Sequence, residues 1–133
     1  MLTELEVIDA VCKHLETQNY TITQRRGTSE RGHDIIAHKG GARLIVEAKG
    51  ETSSKPTTRR FGMRFDPAQF PINVADAFYC TVAAKEKHSD ANYGIALANT
   101  REYKNAVRRI AGTLQLLHIR MFFVGQDKHV AEE

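Results

Sequence analysis

The sequence predicts a single α/β domain, with a mixed central sheet and helices on both faces. Two observations carry that expectation. Segments of helical and strand character follow one another as helix, three strands, helix, strand, helix, strand (αβββαβαβ). Three consecutive strands favour an antiparallel meander, whereas the later strand–helix–strand unit favours parallel pairing through a right-handed crossover. At 133 residues the chain can bury one core without disulfide staples. The domain is expected over residues 1–126, with 127–133 as a polar tail.

The elements can be justified in order. Residues 3–17 place Leu5, Ile8, Val11, Cys12 and Leu15 at helical spacing, which marks one buried stripe. Tyr20–Gln24 alternates β-favouring residues and reads as a strand. Gly27–Gly32 is polar and reads as a loop. His33–His38 is a second strand, Lys39-Gly40-Gly41 a turn, and Arg43–Lys49 a third strand that closes a hairpin on the second. The basic stretch Glu51–Arg64 lacks periodicity. A helix follows, starting near Asp66 or Pro71 and running to about Lys87. Tyr93–Ala98 is a strand, and Thr100 should cap a helix carrying Tyr103, Val107, Ile110, Leu114 and Leu117 on one face. Ile119–Val124 is the last strand.

Bulk properties narrow the function classes. No apolar run is long enough to span a membrane, and Glu4, Glu6 and Asp9 interrupt any leader-like segment, so the expected compartment is the cytoplasm. Cys12 and Cys80 make neither a zinc motif nor a disulfide framework and read as small core hydrophobes. Net charge is +3, and its distribution is segregated. Thr52–Phe65 holds Lys55, Arg59, Arg60 and Arg64 without an acid, and Arg101–Arg120 holds five cations against Glu102. Such segregation suits a polyanion such as nucleic acid, although a solvated loop accounts for it equally.

The chemistry concentrates in Gly32–Gly50, GHDIIAHKGGARLIVEAKG. Asp34 opens one strand, and Glu47 and Lys49 close its hairpin partner. Alternation along a strand puts Glu47 and Lys49 on one face with Ala48 pointing away. Two carboxylates and an ammonium would then converge. Mg²⁺ and Mn²⁺ prefer such hard oxygen ligands together with water and substrate phosphate. The bland reading is a surface acid at a turn beside a same-face ion pair of little energetic weight.

Asp34, Glu47-Ala48-Lys49 and the order of elements across residues 3–98 together resemble the PD-(D/E)XK nuclease superfamily, which includes restriction endonucleases and Holliday-junction resolvases. His33 stands where that pattern usually has proline. The resemblance implies a restriction endonuclease-like fold and an endonuclease that hydrolyses phosphodiesters with Mg²⁺ or Mn²⁺, on DNA in preference to RNA. It implies structure-specific or weakly sequence-specific cleavage, and a homodimer. Asp34, Glu47 and the carbonyl of Ala48 would ligate the ion, and Lys49 would activate or position the attacking water.

The resemblance also implies an acid on the first helix facing the metal. At about 100° per residue, Glu4 falls inside the apolar stripe and Glu6 on the opposite side, which favours Glu4. Alternatively Glu4 only favours the helix N-terminus, a gain of about 0.3–1 kcal/mol. Related nucleases often carry a polar residue on the next helix, for which Gln69 is the candidate. Asp66-Pro67-Ala68-Gln69 also reads as a capping box. Lys55, Arg59, Arg60 and Arg64 are candidate phosphate clamps, and Phe61 and Phe65 either stack on bases or pack the loop. A second function class remains beside the first, a non-catalytic nucleic-acid-binding or interaction module on the same fold.

Overall fold

A computed structural model describes residues 1–26, 32–53 and 63–133 of the chain. Lys55, Arg59, Arg60 and Phe61 lie outside the described residues. The elements are α1 (Glu4–Thr17), β1 (Thr21–Arg25), β2 (Ile35–Lys39), β3 (Ala42–Lys49), α2 (Gln69–Lys87), β4 (Asn92–Ala98), α3 (Arg101–Arg108), α4 (Ala111–Leu116), β5 (Ile119–Val124) and β6 (Val130–Glu132). One mixed six-stranded sheet runs in the order β1-β2-β3-β4-β5-β6, flanked by the helices. β1, β2 and β3 form the antiparallel meander, and β3, β4 and β5 pair in parallel. The fold is α/β, as the order of elements predicts.

Two features differ from expectation. The helix after Thr100 breaks into α3 and α4 around Arg109 and Ile110. Residues 130–132, expected within the polar tail, form β6 against β5. Val130 is buried there, so one apolar residue in a polar segment suffices to anchor an edge strand. No helix among the described residues is long and apolar enough to cross a membrane.

Local chemistry explains how the sheet sets up its charged end. The β2–β3 connection is a two-residue turn in which Gly40 and Gly41 have φ of 56° and 82°. Such a turn requires positive φ at both central positions, which glycine adopts at no steric cost. It fixes the register Lys39↔Ala42 through Ile35↔Val46. One step further along that register sets Asp34 across from Glu47.

On the other side, β1 carries an irregularity between Ile22 and Gln24. The shift pairs Arg25 with Ile35, and the backbone N–H of Arg26 donates to the Asp34 carbonyl at 2.8 Å. A bulge inserts one residue and so changes which side chain meets the neighbouring strand. Arg26, Asp34 and Glu47 thus fall on one transverse row.

α1 is held by a capping box in which Thr3 accepts from the Glu6 N–H and Glu6 accepts from the Thr3 N–H. Its buried face is Val7, Ile8, Val11, Cys12 and Leu15. Beyond β3, Gly50 lets the chain pass against the start of α1. A Cβ there would stand 2.5 Å from the Thr3 carbonyl carbon and 2.6 Å from the Glu4 nitrogen. The Glu51 N–H then donates to the Leu2 carbonyl at 2.8 Å. This close approach delivers Glu4 to the end of β3.

Candidate active site

The structure brings four of the predicted residues together. Asp34 is buried, 2% exposed, and its Oδ2 accepts from the Ala48 N–H at 2.8 Å. Its Oδ1 lies 2.7 Å from Arg26 Nη2, yet this buried oxygen has no hydrogen-bond partner among the described residues. Close approach without alignment gives Coulomb attraction but not a hydrogen bond. Arg26 Nη2 also reaches Glu4 Oε2 at 3.5 Å. The Arg26 guanidinium is therefore wedged between two carboxylates.

Glu47 Oε1 contacts His33 Nδ1 at 3.0 Å. Burial pushes the Glu47 carboxyl up to about 8, helped by the charge of Asp34. Burial, and then the Asp34 charge, likewise raise Glu4. His33 is pushed down by its own burial, which favours the neutral ring. Carboxyl groups crowded in a half-buried site resist ionising together, and the excess of negative charge is what a cation would relieve.

Lys49 Nζ donates to Asp76 Oδ2 at 2.5 Å. Burial alone would lower the ammonium's pKa, but the hydrogen bond and charge of Asp76, with Glu4 and Asp34 behind it, raise it above its ordinary value. Lys49 is thus a fixed cation. It can orient water or offset developing negative charge rather than serve as a neutral base.

Elsewhere the predicted site residues are already engaged. Arg64 makes a two-pronged pair with Glu102, at 2.9 and 2.6 Å, and stacks over Phe70 at 4.9 Å. The expected phosphate clamp is a strap across α2 and α3, because its fork faces a carboxylate of the protein. Gln69 Nε2 donates to Asn73 Oδ1, and the Asn73 amide donates to the Tyr103 hydroxyl. The Gln69 N–H donates to the Asp66 backbone carbonyl at 2.8 Å. α2 begins at Gln69 after Ala68, which has no side-chain oxygen to accept from the first turn. Phe65 packs edge-on to Phe70, with ring centroids 6.3 Å apart.

Sequence reasoning missed three members of the constellation, Arg26, His33 and Asp76. Asp76 carried a signal, since it stands seven residues after Gln69 and so shares its side of a helix. His33 neighbours Asp34, but a strand pattern alone sends neighbours to opposite faces. Arg26 had no signal, because the β1 irregularity decides its row.

The donor chemistry suits a small hard cation: acidic oxygens from Glu4, Asp34 and Glu47, one of them buried and without a hydrogen bond. The arrangement is closed, however. Among the described residues, no group of three or more His, Cys, Asp or Glu side chains is set out to hold a metal ion. Arg26 and His33 neutralise or cover the oxygens instead. Beside Glu47 opens a cleft of about 400 Å³, bordered by Arg26, His33, Tyr79, Cys80 and Lys87. The roomier cleft, about 700 Å³ between α2 and α3, is lined by none of the predicted catalytic residues.

No family model matches the chain, and no curated protein does. Among solved structures, the chain is similar to an FdxN element excision controlling factor protein from Anabaena variabilis. The two are 16% identical, with a TM-score of 0.50 and 95% of each chain covered. That likeness extends to the fold, an α/β arrangement shared over nearly the whole chain.

Proposed function

We propose that the chain is a metal-dependent endonuclease of the PD-(D/E)XK type that hydrolyses phosphodiester bonds in DNA. The observation that carries this reading is the row Arg26–Asp34–Glu47, whose strand register gathers acidic oxygens beside the Lys49 ammonium. Asp34 and Glu47 would hold Mg²⁺ or Mn²⁺ with the Ala48 carbonyl, and Glu4 would assist through water. When bound, the ion supplies Lewis-acid polarisation of the phosphoryl oxygen and acidifies a water. Lys49, kept charged by Asp76, orients the attacking water and offsets negative charge on the phosphorane. Asp34, tied to the Ala48 N–H, holds the end of β3 in place under that chemistry. For Glu47 to serve as a ligand it must lose the proton that its surroundings favour, and ion binding drives that loss.

A second reading is favoured by one specific observation. Arg26 and His33 already lie against these carboxyl groups, as they would in a non-catalytic nucleic-acid-binding module that keeps the fold. One experiment separates the two. Purified protein is incubated with single-stranded, duplex and branched DNA in Mg²⁺, Mn²⁺ or chelator. The nuclease reading expects cleavage only with metal, and its loss in Lys49→Ala. Cleavage in chelator, or undiminished in that variant, rules the mechanism out. Salt-sensitive binding with no cleavage in either metal supports the module.

A further inference from the structure

The cleft beside Glu47 has features that hydrolysis at the row does not use. The C-terminal half of α2 lines it, and Tyr79 there lies on the exposed side of the helix, 71% exposed. Its hydroxyl makes no hydrogen bond and its ring no ring contact among the described residues. One turn on, Ala83 is exposed and offers no side chain to fill the space. At the mouth, Lys87 forms no ion pair among the described residues, and its charge reaches His33 across the cleft. The inner wall is Glu47 itself.

We propose that this cleft takes one unpaired base of single-stranded DNA, stacked on Tyr79, with the adjoining phosphate held by Lys87. This rests on the reading of Asp34, Glu47 and Lys49 as the hydrolytic centre. It adds that the nucleotide next to the bond cut is unpaired. The physical case is one of surfaces and charge. An exposed, flat, amphipathic ring beside two small alanines of the same cleft, Ala83 and Ala84, can serve as a stacking platform, and such platforms accept any base because every base has a π-face. In a duplex both faces of a base are already stacked, so a paired base cannot use the platform without being flipped out. The Lys87 ammonium matches a backbone phosphate and lines the same cleft as Glu47.

The test measures binding without metal, so that its outcome is independent of cleavage. Full-length protein in chelator is titrated into a single-stranded oligonucleotide carrying an internal 2-aminopurine, and into the matched duplex. Expected are at least tenfold tighter binding of the single strand and quenching of the probe on stacking. Tyr79→Leu should abolish the quenching and weaken single-strand binding about tenfold, with Tyr79→Phe restoring both. Lys87→Gln should lower the salt dependence by about one phosphate contact. Leu116→Ala, equally exposed but on α4 and outside the cleft, should change neither. Duplex bound as tightly as single strand, Tyr79→Leu without effect, an equal loss in Leu116→Ala, or tighter binding of the same sequence as RNA would each overturn the assignment. Tyr79-dependent quenching by a protein that cleaves nothing in Mn²⁺ would uphold this site and remove the nuclease reading. Metal-dependent cleavage unaltered by Tyr79→Leu would do the reverse.

Discussion

Arg26 Nη2 sits 2.7 Å from Asp34 Oδ1 and 3.5 Å from Glu4 Oε2, so a guanidinium occupies the gap between two carboxylates that a divalent ion would also seek. On the nuclease reading, two cations would compete for one set of oxygens. Replacing Arg26 with methionine keeps much of its apolar stem and removes the charge. Without metal, the carboxyl groups lose their counter-charge, so the thermal midpoint should fall by several degrees, about 1–3 kcal/mol. Mn²⁺ affinity by calorimetry should rise about tenfold or more, because the ion no longer has to displace an internal partner. If Arg26 belongs to a purely structural ion pair, the midpoint falls and Mn²⁺ affinity stays where it was.

Asp34 carries two jobs that different substitutions separate. Its Oδ2 satisfies the buried Ala48 N–H, while its Oδ1 is the orphaned oxygen. Asp34→Asn keeps an acceptor for Ala48 and sheds the charge that crowds Glu47. It should lose less stability than Asp34→Ala, because the Ala48 N–H stays paired and only the Arg26 ion pair is given up, while losing about 100-fold or more in cleavage rate. Asp34→Ala leaves the Ala48 N–H unpaired and should cost about 1–3 kcal/mol on top of the same loss. Chemical denaturation and a single-turnover cleavage assay read the two effects apart. Equal activity in Asp34→Asn would end the metal-ligand role.

The contrast between Asp34 and Arg26 shows how far the sequence could be read. The hairpin register follows from Gly40-Gly41, and with it the meeting of Asp34 and Glu47, because a two-residue turn leaves no freedom of pairing. Strand alternation likewise puts Lys49 beside Glu47, and helical spacing points Glu4 rather than Glu6 towards them. Arg26 was illegible because its row depends on the irregularity between Ile22 and Gln24, which no local residue announces. Helical spacing puts Asp76 on the side of Gln69, but only the packing of α2, a tertiary property, decides that this side meets Lys49. Arg64 illustrates the opposite error. Within the basic run, Arg64 pairs with Glu102 on α3, a partner 38 residues away that the local sequence does not announce.

Gly50 gives the site its geometry without touching it. A methyl group there would meet backbone atoms of Leu2, Thr3 and Glu4 at 2.5–2.6 Å, distances no side-chain rotation can relieve. Gly50→Ala must push the start of α1 away from the end of β3. A cost of about 1–3 kcal/mol is expected, visible as a lowered midpoint of thermal unfolding. Glu4 would move away from Lys49 and Asp34, so Mn²⁺ affinity should fall with the midpoint. Ala83→Gly, at an exposed helical site, provides the comparison: about 1 kcal/mol of stability lost with metal affinity unchanged.

The carboxyl crowding predicts a pH dependence whose sign reverses with metal. Glu47 is raised from 4.5 to about 8, so between those values the folded chain retains a proton that the unfolded chain has released. Stability from this group is complete below 4.5 and is lost as pH rises through 8. His33 acts in the other direction, because its lowered pKa lets stability grow with pH up to its ordinary 6.5. The window from 6.5 to 8 therefore excludes His33 and leaves the raised carboxyl groups, Glu47 first and Glu4 beside it, which Glu47→Gln tells apart. In chelator the midpoint should decline across it, with a slope of at most about 1.4 kcal/mol per pH unit for one proton. Glu47→Gln, which cannot ionise, should flatten the decline. In saturating Mn²⁺ the trend should invert, since an ion binds the deprotonated carboxylate and gains affinity as the competing proton leaves. A decline that persists unchanged in Glu47→Gln assigns the effect to another group, and a decline unaffected by Mn²⁺ means that the ion does not bind at Glu47.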